Sequence, residues 1–306
     1  MSAAVRRREP CAGPATVAVE IGAGAVEVHL DPSPGAPDEV RVVVDAVASP
    51  TRSAGRESLA DAADAGEGLN RILGFLGRLT DDPQGDPERV DRALAAVDLD
   101  WADGVLTVRG PRDRDLATVP LAVTVHAPDS SALRVDAGSA TVRVSGRSGA
   151  ATIETSGSVA LADAVGPTGI RSGAGRVDVT RASARLDVTG GSGRIEVGNL
   201  LAPAEISTGA GAVHLRQVAA DATVHSGAGA VTVDDASSGR LDLSTQAGKV
   251  RVGVHGGVDA EVDLRTRAGR ARSDLTVGDT APAEGAPLHI RGRSGAGEVR
   301  VMAASR

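Results

Sequence analysis

Two pairs of carboxylates stand at matching places in the sequence and could supply acid–base chemistry. Asp187 and Glu205 are 18 residues apart, which predicts equivalent outward positions in consecutive rungs of a repeat, and Asp242 and Asp263 are expected to repeat this arrangement further along the chain. Paired carboxylates are the groups with which most glycoside hydrolases protonate a leaving oxygen and attack the sugar or activate water. The alternative is a solubilising surface, in which Arg185 and other nearby arginines offset these charges. One Phe, one Trp and no Tyr also leave few aromatic platforms for sugar rings.

The densest group of basic side chains lies near the C-terminus. Its members are Arg265, Arg267, Arg270 and Arg272. On alternating strand positions several guanidinium groups would project together, and such a cluster can hold a phosphate or an acidic partner. Glu261, Asp263 and Asp274 are close by in the sequence, so a balanced ionic surface is the alternative.

Other catalytic and metal-binding patterns lack the residues they need. Lys249 lies in an alternating, strand-like segment and not in the Gly-Lys-Ser/Thr of a phosphate-binding loop. The segment before Ile195 resembles a calcium-binding nonapeptide, but Ile195 stands where the liganding Asp is required. The six His lack the i, i+4 spacing of zinc proteases, and the single Cys11 excludes an intramolecular disulfide. The sequence therefore predicts no catalytic residue, no metal site and no cofactor.

An internal repeat defines the elements that carry these residues. Glycines at 173, 191, 209 and 227 recur every 18 residues, and GAGAV occurs three times in the chain. Each copy alternates apolar and polar residues, passes a small Gly-rich step and alternates again, which predicts short strands with one buried face. Because the recurrence stacks each strand on its equivalent in the next copy, the sequence predicts an all-β fold, a parallel β-solenoid with rungs of about 18 residues.

The interior of this solenoid is expected to be a thin aliphatic layer, because the repeats contain no aromatic residue. The predicted inward rows are Val142, Val177, Ile195, Val213, Val231 and Val250 on one face, and Val135, Ile170, Val188, Ile206, Val224 and Leu243 on the other. Between the paired valines, the outward row carries Arg143, Asp178, Glu196, His214, Thr232 and Arg251. The mixed signs of this row predict a solvated surface.

The N-terminal half divides by composition into three predicted parts. Residues 1–14 are expected to be a disordered N-terminus, and residues 15–127 an N-terminal β region that precedes the solenoid domain at 128–303. Alternation predicts a β meander over 16–47 and further strands at 97–101, 105–109 and 117–127. A helical insertion is expected at about 53–96, its second helix beginning at Asp86-Pro87-Glu88 with Val90, Leu94 and Val97 facing inward.

The helical insertion is the best candidate for a specific contact. Its apolar stripe includes Leu69, Ile72, Phe75 and Leu76. One interpretation is a cover for an open end of the solenoid, where unpaired backbone would otherwise be exposed. The other is a docking face for a protein partner.

Charge and hydropathy limit the partners and the compartment. The formal net charge of −7 argues against a general nucleic-acid or membrane-surface role, and no apolar stretch predicts a membrane span. Glu9 and Pro10 follow the basic cluster at Arg6–Arg8 where an export signal requires apolar residues. We therefore expect a cytoplasmic protein.

One segment supports a family resemblance. Residues 119–146, VPLAVTVHAPDSSALRVDAGSATVRVSG, followed by SGAGRVDV, TGAGAVHL and SGAGAVTV, resemble a bacterial domain-of-unknown-function family of β-strand-repeat "putative adhesins". The resemblance covers about 15–47 and 97–302, and it implies a β-solenoid without established catalytic residues.

Three functional hypotheses follow from these observations. The first is a non-enzymatic β-solenoid scaffold or protein-interaction module, with a partner at the helical insertion. The second is a structural protein, similar to bactofilins, that polymerises end to end through its terminal rungs. The third is a carbohydrate-binding or polysaccharide-active β-helix protein that uses the paired carboxylates.

Overall fold

Two long sheets contain all 25 described strands of the computed structural model, which describes residues 4–11, 13–30, 39–46, 87–275 and 286–304. Strands are numbered in chain order. Sheet A contains β1 (Val5–Pro10), β3 (Gly24–Leu30), β4 (Glu39–Ala46), β7 (Leu121–Ala127), β9 (Thr141–Ser148), β11 (Val159–Ala164), β13 (Val177–Ala182), β15 (Ile195–Leu200), β17 (Val213–Val218), β19 (Val231–Ala236), β21 (Val250–Val254), β23 (Ala271–Ser273) and β25 (Val299–Ala303). Sheet B contains β2 (Thr16–Ile21), β5 (Asp98–Ala102), β6 (Val105–Arg109), β8 (Ala132–Ala137), β10 (Ala151–Thr155), β12 (Thr168–Ser172), β14 (Leu186–Gly190), β16 (Ala204–Thr208), β18 (Ala222–Ser226), β20 (Gly239–Ala247), β22 (Ala260–Ala268) and β24 (Leu288–Ala296).

From β8 to β21 the chain coils in sequence order, one strand in each sheet per rung. Every pairing in this stretch is parallel, and facing residues are 16–19 apart, 18 in most strand pairs, as in Val177 with Ile195 and Ile195 with Val213. The predicted parallel β-solenoid and its rung length are thereby confirmed. Both predicted inward rows are buried throughout.

The corners between strands require glycine at close contacts between rungs. At Gly193 a Cβ would overlap the backbone oxygen of Gly175 in the preceding rung. A side chain at that position would push the rungs apart and weaken the parallel hydrogen bonds on both sides, which explains why Gly recurs with the repeat.

The N-terminal strands, predicted as a meander whose relation to the solenoid the sequence left open, form part of the coil. β2 lies in sheet B between β6 and β8, and β3 lies in sheet A between β7 and β9, all in parallel register. Together β2 and β3 make a complete rung, and the later pair β6–β7 forms the rung outside it. Alternation predicted the strands correctly but could not distinguish a hairpin from a rung, because both bury one face of each strand.

Antiparallel strands close this N-terminal end. β4 pairs antiparallel with β7, β1 pairs antiparallel with β4, and β5 pairs antiparallel with β6. Residues 5–10, for which disorder was expected, are ordered as β1 because β4 offers them a free edge. Arg7 of β1 donates to the backbone oxygen of Leu99 in β5 at 2.5 Å and so links the two sheets.

Helix α1 (Pro87–Ala95) begins at the predicted proline and buries Leu94. A short helix α2 (Arg114–Ala117) ends at the first residue of the stretch 117–127 that was predicted as a strand, and β7 begins only at Leu121. The side chain of Asp113 caps this helix by accepting a hydrogen bond from the backbone N–H of Asp115. Among the described residues, none of the helices has the length and apolar character needed to cross a membrane.

The C-terminal end also departs from sequence order. β24–β25, the last rung along the chain, lies between β20–β21 and β22–β23. β24 pairs in parallel with β20 on one side and with β22 on the other. The rung formed by β22 and β23 is therefore the outermost one at this end.

Candidate functional site

A shallow depression of about 260 Å³ lies on the outer face of sheet B near the C-terminal end. It spans three neighbouring strands, β20, β24 and β22. Its lining residues are Arg240, Asp242, Glu261, Asp263, His289, Ile290 and Arg291. Polar side chains from three strands converge here because they occupy the outward positions of a common register.

Charges of opposite sign alternate across this depression. Arg291 lies between two carboxylates, 3.7 Å from Asp242 and 3.8 Å from Asp263. His289 Nδ1 is 3.0 Å from the Glu261 carboxylate. The expectation that Asp242 and Asp263 occupy consecutive rungs was wrong, because the insertion of β24 separates β20 from β22 and places a guanidinium between the two acids. The repeat spacing alone did not indicate that β24 lies between β20 and β22.

The four predicted basic residues are divided between sheet B (Arg265 and Arg267), the corner that follows it (Arg270) and sheet A (Arg272). Arg265 belongs to β22 and its guanidinium is 3.0 Å from Asp263, whereas Arg272 belongs to β23 and is 2.7 Å from Asp274. Arg267 and Arg270 are exposed and make no ion pair with any described residue. Anion binding by these four residues stays a prediction, and the structure does not bring them together on one face.

Asp274 is shared by two arginines at this end. Arg300 Nη2 lies 2.5 Å from its carboxylate on one side, and Arg272 lies on the other. The hydrogen bond from Arg300, together with the positive charge of both arginines, holds the pKa of Asp274 below its usual range. The pairing connects β23 to the inserted strand β25.

Asp187 and Glu205 face each other in neighbouring strands, as predicted. Arg185 lies between them, with Nη2 at 2.9 Å from Asp187 and 3.5 Å from Glu205. The guanidinium therefore pairs with both carboxylates and balances their charge. The contact supports the balanced-surface interpretation of this pair.

Glu196 lies on the predicted outward row, but its burial was not predicted, since that row was expected to be solvated. Its side chain is only 7% exposed, covered by Arg176 from the preceding rung and Arg216 from the following one. Arg176 Nη2 is 2.7 Å and Arg216 Nε is 2.9 Å from its oxygens. Hydrogen bonds from Arg216, assisted by the charge of Arg176, hold the pKa of Glu196 below its usual range despite burial.

A sequence signal for such pairs does exist. Arg176 and Arg216 each lie 20 residues from Glu196, and Arg185 lies 20 residues from Glu205. A separation of one 18-residue rung plus two residues joins diagonal neighbours on the same face, which lie within reach of long side chains. Opposite charges at this spacing predict ion pairs across rungs.

The predicted docking residues Leu69, Ile72, Phe75 and Leu76 lie outside the described residues, as does most of the helical insertion. Within the described part of the chain, no group of three or more His, Cys, Asp or Glu is placed to hold a metal ion.

Comparisons with known proteins yield structural likenesses only. No protein-family model matches the chain, and no match is found among curated proteins. A "putative adhesin" from Bacteroides fragilis is 9% identical with a TM-score of 0.44, covering 98% of each chain. A "putative lipid binding protein" from Parabacteroides distasonis is 11% identical with a TM-score of 0.49, covering 96% of each. A "putative adhesin" from Parabacteroides merdae is 9% identical with a TM-score of 0.36, covering 99% of this chain and 96% of the other. None of these values is high enough to transfer a function to this chain.

Proposed function

We propose that this protein is a non-enzymatic scaffold, a rigid β-solenoid that presents a protein-interaction surface in the cytoplasm. The observation that carries the proposal is the ion pairing of the outer faces. Arg185 bridges Asp187 and Glu205, and Arg291 lies between Asp242 and Asp263. Carboxylates paired in this way have their charge balanced by a neighbouring guanidinium, as expected for a surface ion-pair network.

The hypothesis of a polysaccharide-active enzyme is weakened by the same contacts. A glycosidase needs two carboxyl groups on opposite sides of a bound sugar, with room for the glycosidic oxygen or water between them. Here a guanidinium lies within 3.8 Å of both carboxylates of each candidate pair and balances their charge.

End-to-end polymerisation receives little support from the two ends of the coil. One end finishes in antiparallel strands that reverse the direction of the sheet, and the other finishes in a parallel rung. Continuous stacking of identical copies would require a rung-like surface at both ends.

The partner contact is proposed to lie in the helical insertion, on the apolar stripe of Leu69, Ile72, Phe75 and Leu76. In quantitative affinity purification from native cells, the variant with all four residues changed to Ser should lose a partner that the intact chain retains. Leu201→Ser is the matched control, because Leu201 is a large hydrophobic residue exposed elsewhere, on the solenoid. Equal recovery with both variants would contradict docking at this stripe.

A second readout tests the non-enzymatic part of the proposal. The intact chain and an Asp187→Asn/Glu205→Gln variant should behave alike on a panel of polysaccharides, with no turnover by either. Turnover that disappears in the variant would contradict the scaffold and favour the enzyme.

Cell fractionation tests the proposed compartment. Recovery of the protein outside the cytoplasm would contradict it.

A further inference from the structure

The outermost C-terminal rung presents an open strand edge. β22 pairs with β24 on one side, and no described residue pairs with its other side. Its outward side chains are exposed or half-buried, and its backbone donors and acceptors on that edge lack partners within the described chain. Free edges of this kind are templates for pairing with another strand, so proteins normally protect them.

The charges along this edge are antisymmetric about Leu264. The outward residues in order are Glu261, Asp263, Arg265 and Arg267, two acidic and then two basic. In an antiparallel pairing of two copies centred on Leu264, Asp263 lies opposite Arg265 of the second copy. Glu261 then lies opposite Arg267 of the second copy. Both relations occur twice because of the two-fold axis, which gives four pairs of opposite charge.

Neighbouring strands in the same register lack this pattern. In β24 the corresponding residues include Arg291 and Arg293, which would meet as like charges about the same centre. The N-terminal edges are protected by charge of a single sign. β1 exposes Arg6 and Arg8, and β5 exposes Asp98 and Asp100.

We propose that the open edge of β22 binds a second copy of this chain and forms a two-fold symmetric dimer joined at the C-terminal ends. β22 of each copy pairs antiparallel with the other across an axis through Leu264, and the two B sheets become continuous. The partner is a second copy because the edge is complementary to itself. An unrelated strand would need two basic residues opposite Glu261 and Asp263 and two acidic residues opposite Arg265 and Arg267, whereas a second copy of β22 already carries them in that order. The proposal does not depend on the scaffold function.

Charge reversal and charge exchange test the dimer. Arg267 makes no ion pair with any described residue, so Arg267→Glu changes the interface without removing a contact described here. By sedimentation velocity over a wide concentration range, the intact chain should dimerise and Arg267→Glu should raise the dimer dissociation constant about tenfold or more. Glu261→Arg/Arg267→Glu restores complementarity and should restore the dimer.

Arg194→Glu is the matched control, an exposed arginine without a described ion pair in the middle of the coil. It should leave the dissociation constant unchanged. A chain that stays monomeric throughout, an Arg267→Glu variant that dimerises normally, or an exchange variant that fails to recover would each overturn the proposal.

Cross-linking tests the register separately. In a Cys11→Ser background, Leu264→Cys places two cysteines on the axis, with Cα atoms about 4.5–5.5 Å apart, within the range of a disulfide. Oxidation should link this variant as a dimer and leave Arg267→Cys unlinked, because residues 267 of the two copies lie far apart. Efficient linkage through position 267, or a persistent dimer linked through neither position, would overturn the register.

Discussion

The two ends of the solenoid close the same core by opposite means. At the N-terminal end, β4 and β5 run antiparallel to the coil, β1 covers β4, and Arg7 joins the two sheets. At the C-terminal end the outer rung is parallel to its neighbours, and β23 is only three residues long. The comparison indicates which end can accept another strand: the one whose final strands continue the coil and whose edge mixes both signs of charge.

The ends also share one feature. At each of them a rung lies out of sequence order, β2–β3 inside β6–β7 at one end and β24–β25 inside β22–β23 at the other. A segment near each terminus is therefore hydrogen-bonded on both sides. A terminal rung placed on the outside would be bonded on one side only and would fray more readily.

Removing a core side chain at each end should give the largest difference between them. Leu106 of β6 is fully buried between β2 and β5, so Leu106→Ala should reduce the free energy of unfolding by about 2–5 kcal/mol. Leu264 of β22 is half-buried and has a described neighbour on one side only, so Leu264→Ala should cost about 1 kcal/mol. Denaturant unfolding measures both values.

The measurement belongs in an Arg267→Glu background, because dimer formation would add to the apparent stability of the intact chain. Leu201→Ala, an exposed leucine, controls for loss of the side chain alone. Equal losses at positions 106 and 264 would show that the C-terminal end is covered as fully as the N-terminal one.

Glu196 is a carboxylate between two arginines in the middle of the coil, and the effect of replacing it can be compared with that of replacing Asp274 at the C-terminal end. Glu196→Gln should reduce stability by about 1–2 kcal/mol, the low part of the range for hydrogen bonds to charged groups, because Arg176 and Arg216 are exposed and regain water. Since the folded pKa is lowered, the contribution is present above the pKa of the unfolded chain and is lost as pH falls through the folded value. Unfolding curves of the two proteins should therefore converge in acid, and a constant gap would contradict this assignment.

Asp274 is likewise held between two arginines, Arg272 and Arg300, but at the open C-terminal end. Its replacement is expected to have the smallest effect on stability, confined to the strands nearby. Asp274→Asn weakens the link from β23 to β25, so amide exchange in 271–273 should accelerate while exchange in β4 and β7 stays unchanged. Because the pKa of Asp274 is also lowered, its contribution is present above the unfolded pKa and disappears as pH falls through the folded value. After correction for the intrinsic pH dependence of amide exchange, acidification should lower the protection factors of 271–273 in the intact chain and have little further effect on them in the variant. A general acceleration would indicate a global role.

Much of the fold was predictable from the repeat, while the site depended on contacts that the repeat does not encode. The strands at 16–21, 39–46 and 105–109 and the start of α1 at Pro87 agree with the prediction, because alternation and helix-start signals act locally. The burial of Glu196 was missed because an outward position was assumed to be a wet one, whereas two long arginine side chains from adjacent rungs cover it. The docking stripe stays a prediction.

The sequence by itself determined that this chain coils, because an 18-residue period of alternating residues and glycine corners suits one rung after another of a parallel solenoid. It also determined which side chains fill the core. Only the tertiary structure decided the order of the terminal rungs, since β22 and β24 present the same register to their neighbours and sequence order cannot choose between them. Placing Arg291 between Asp242 and Asp263 favours the observed order, because the alternative would stack one carboxylate on another.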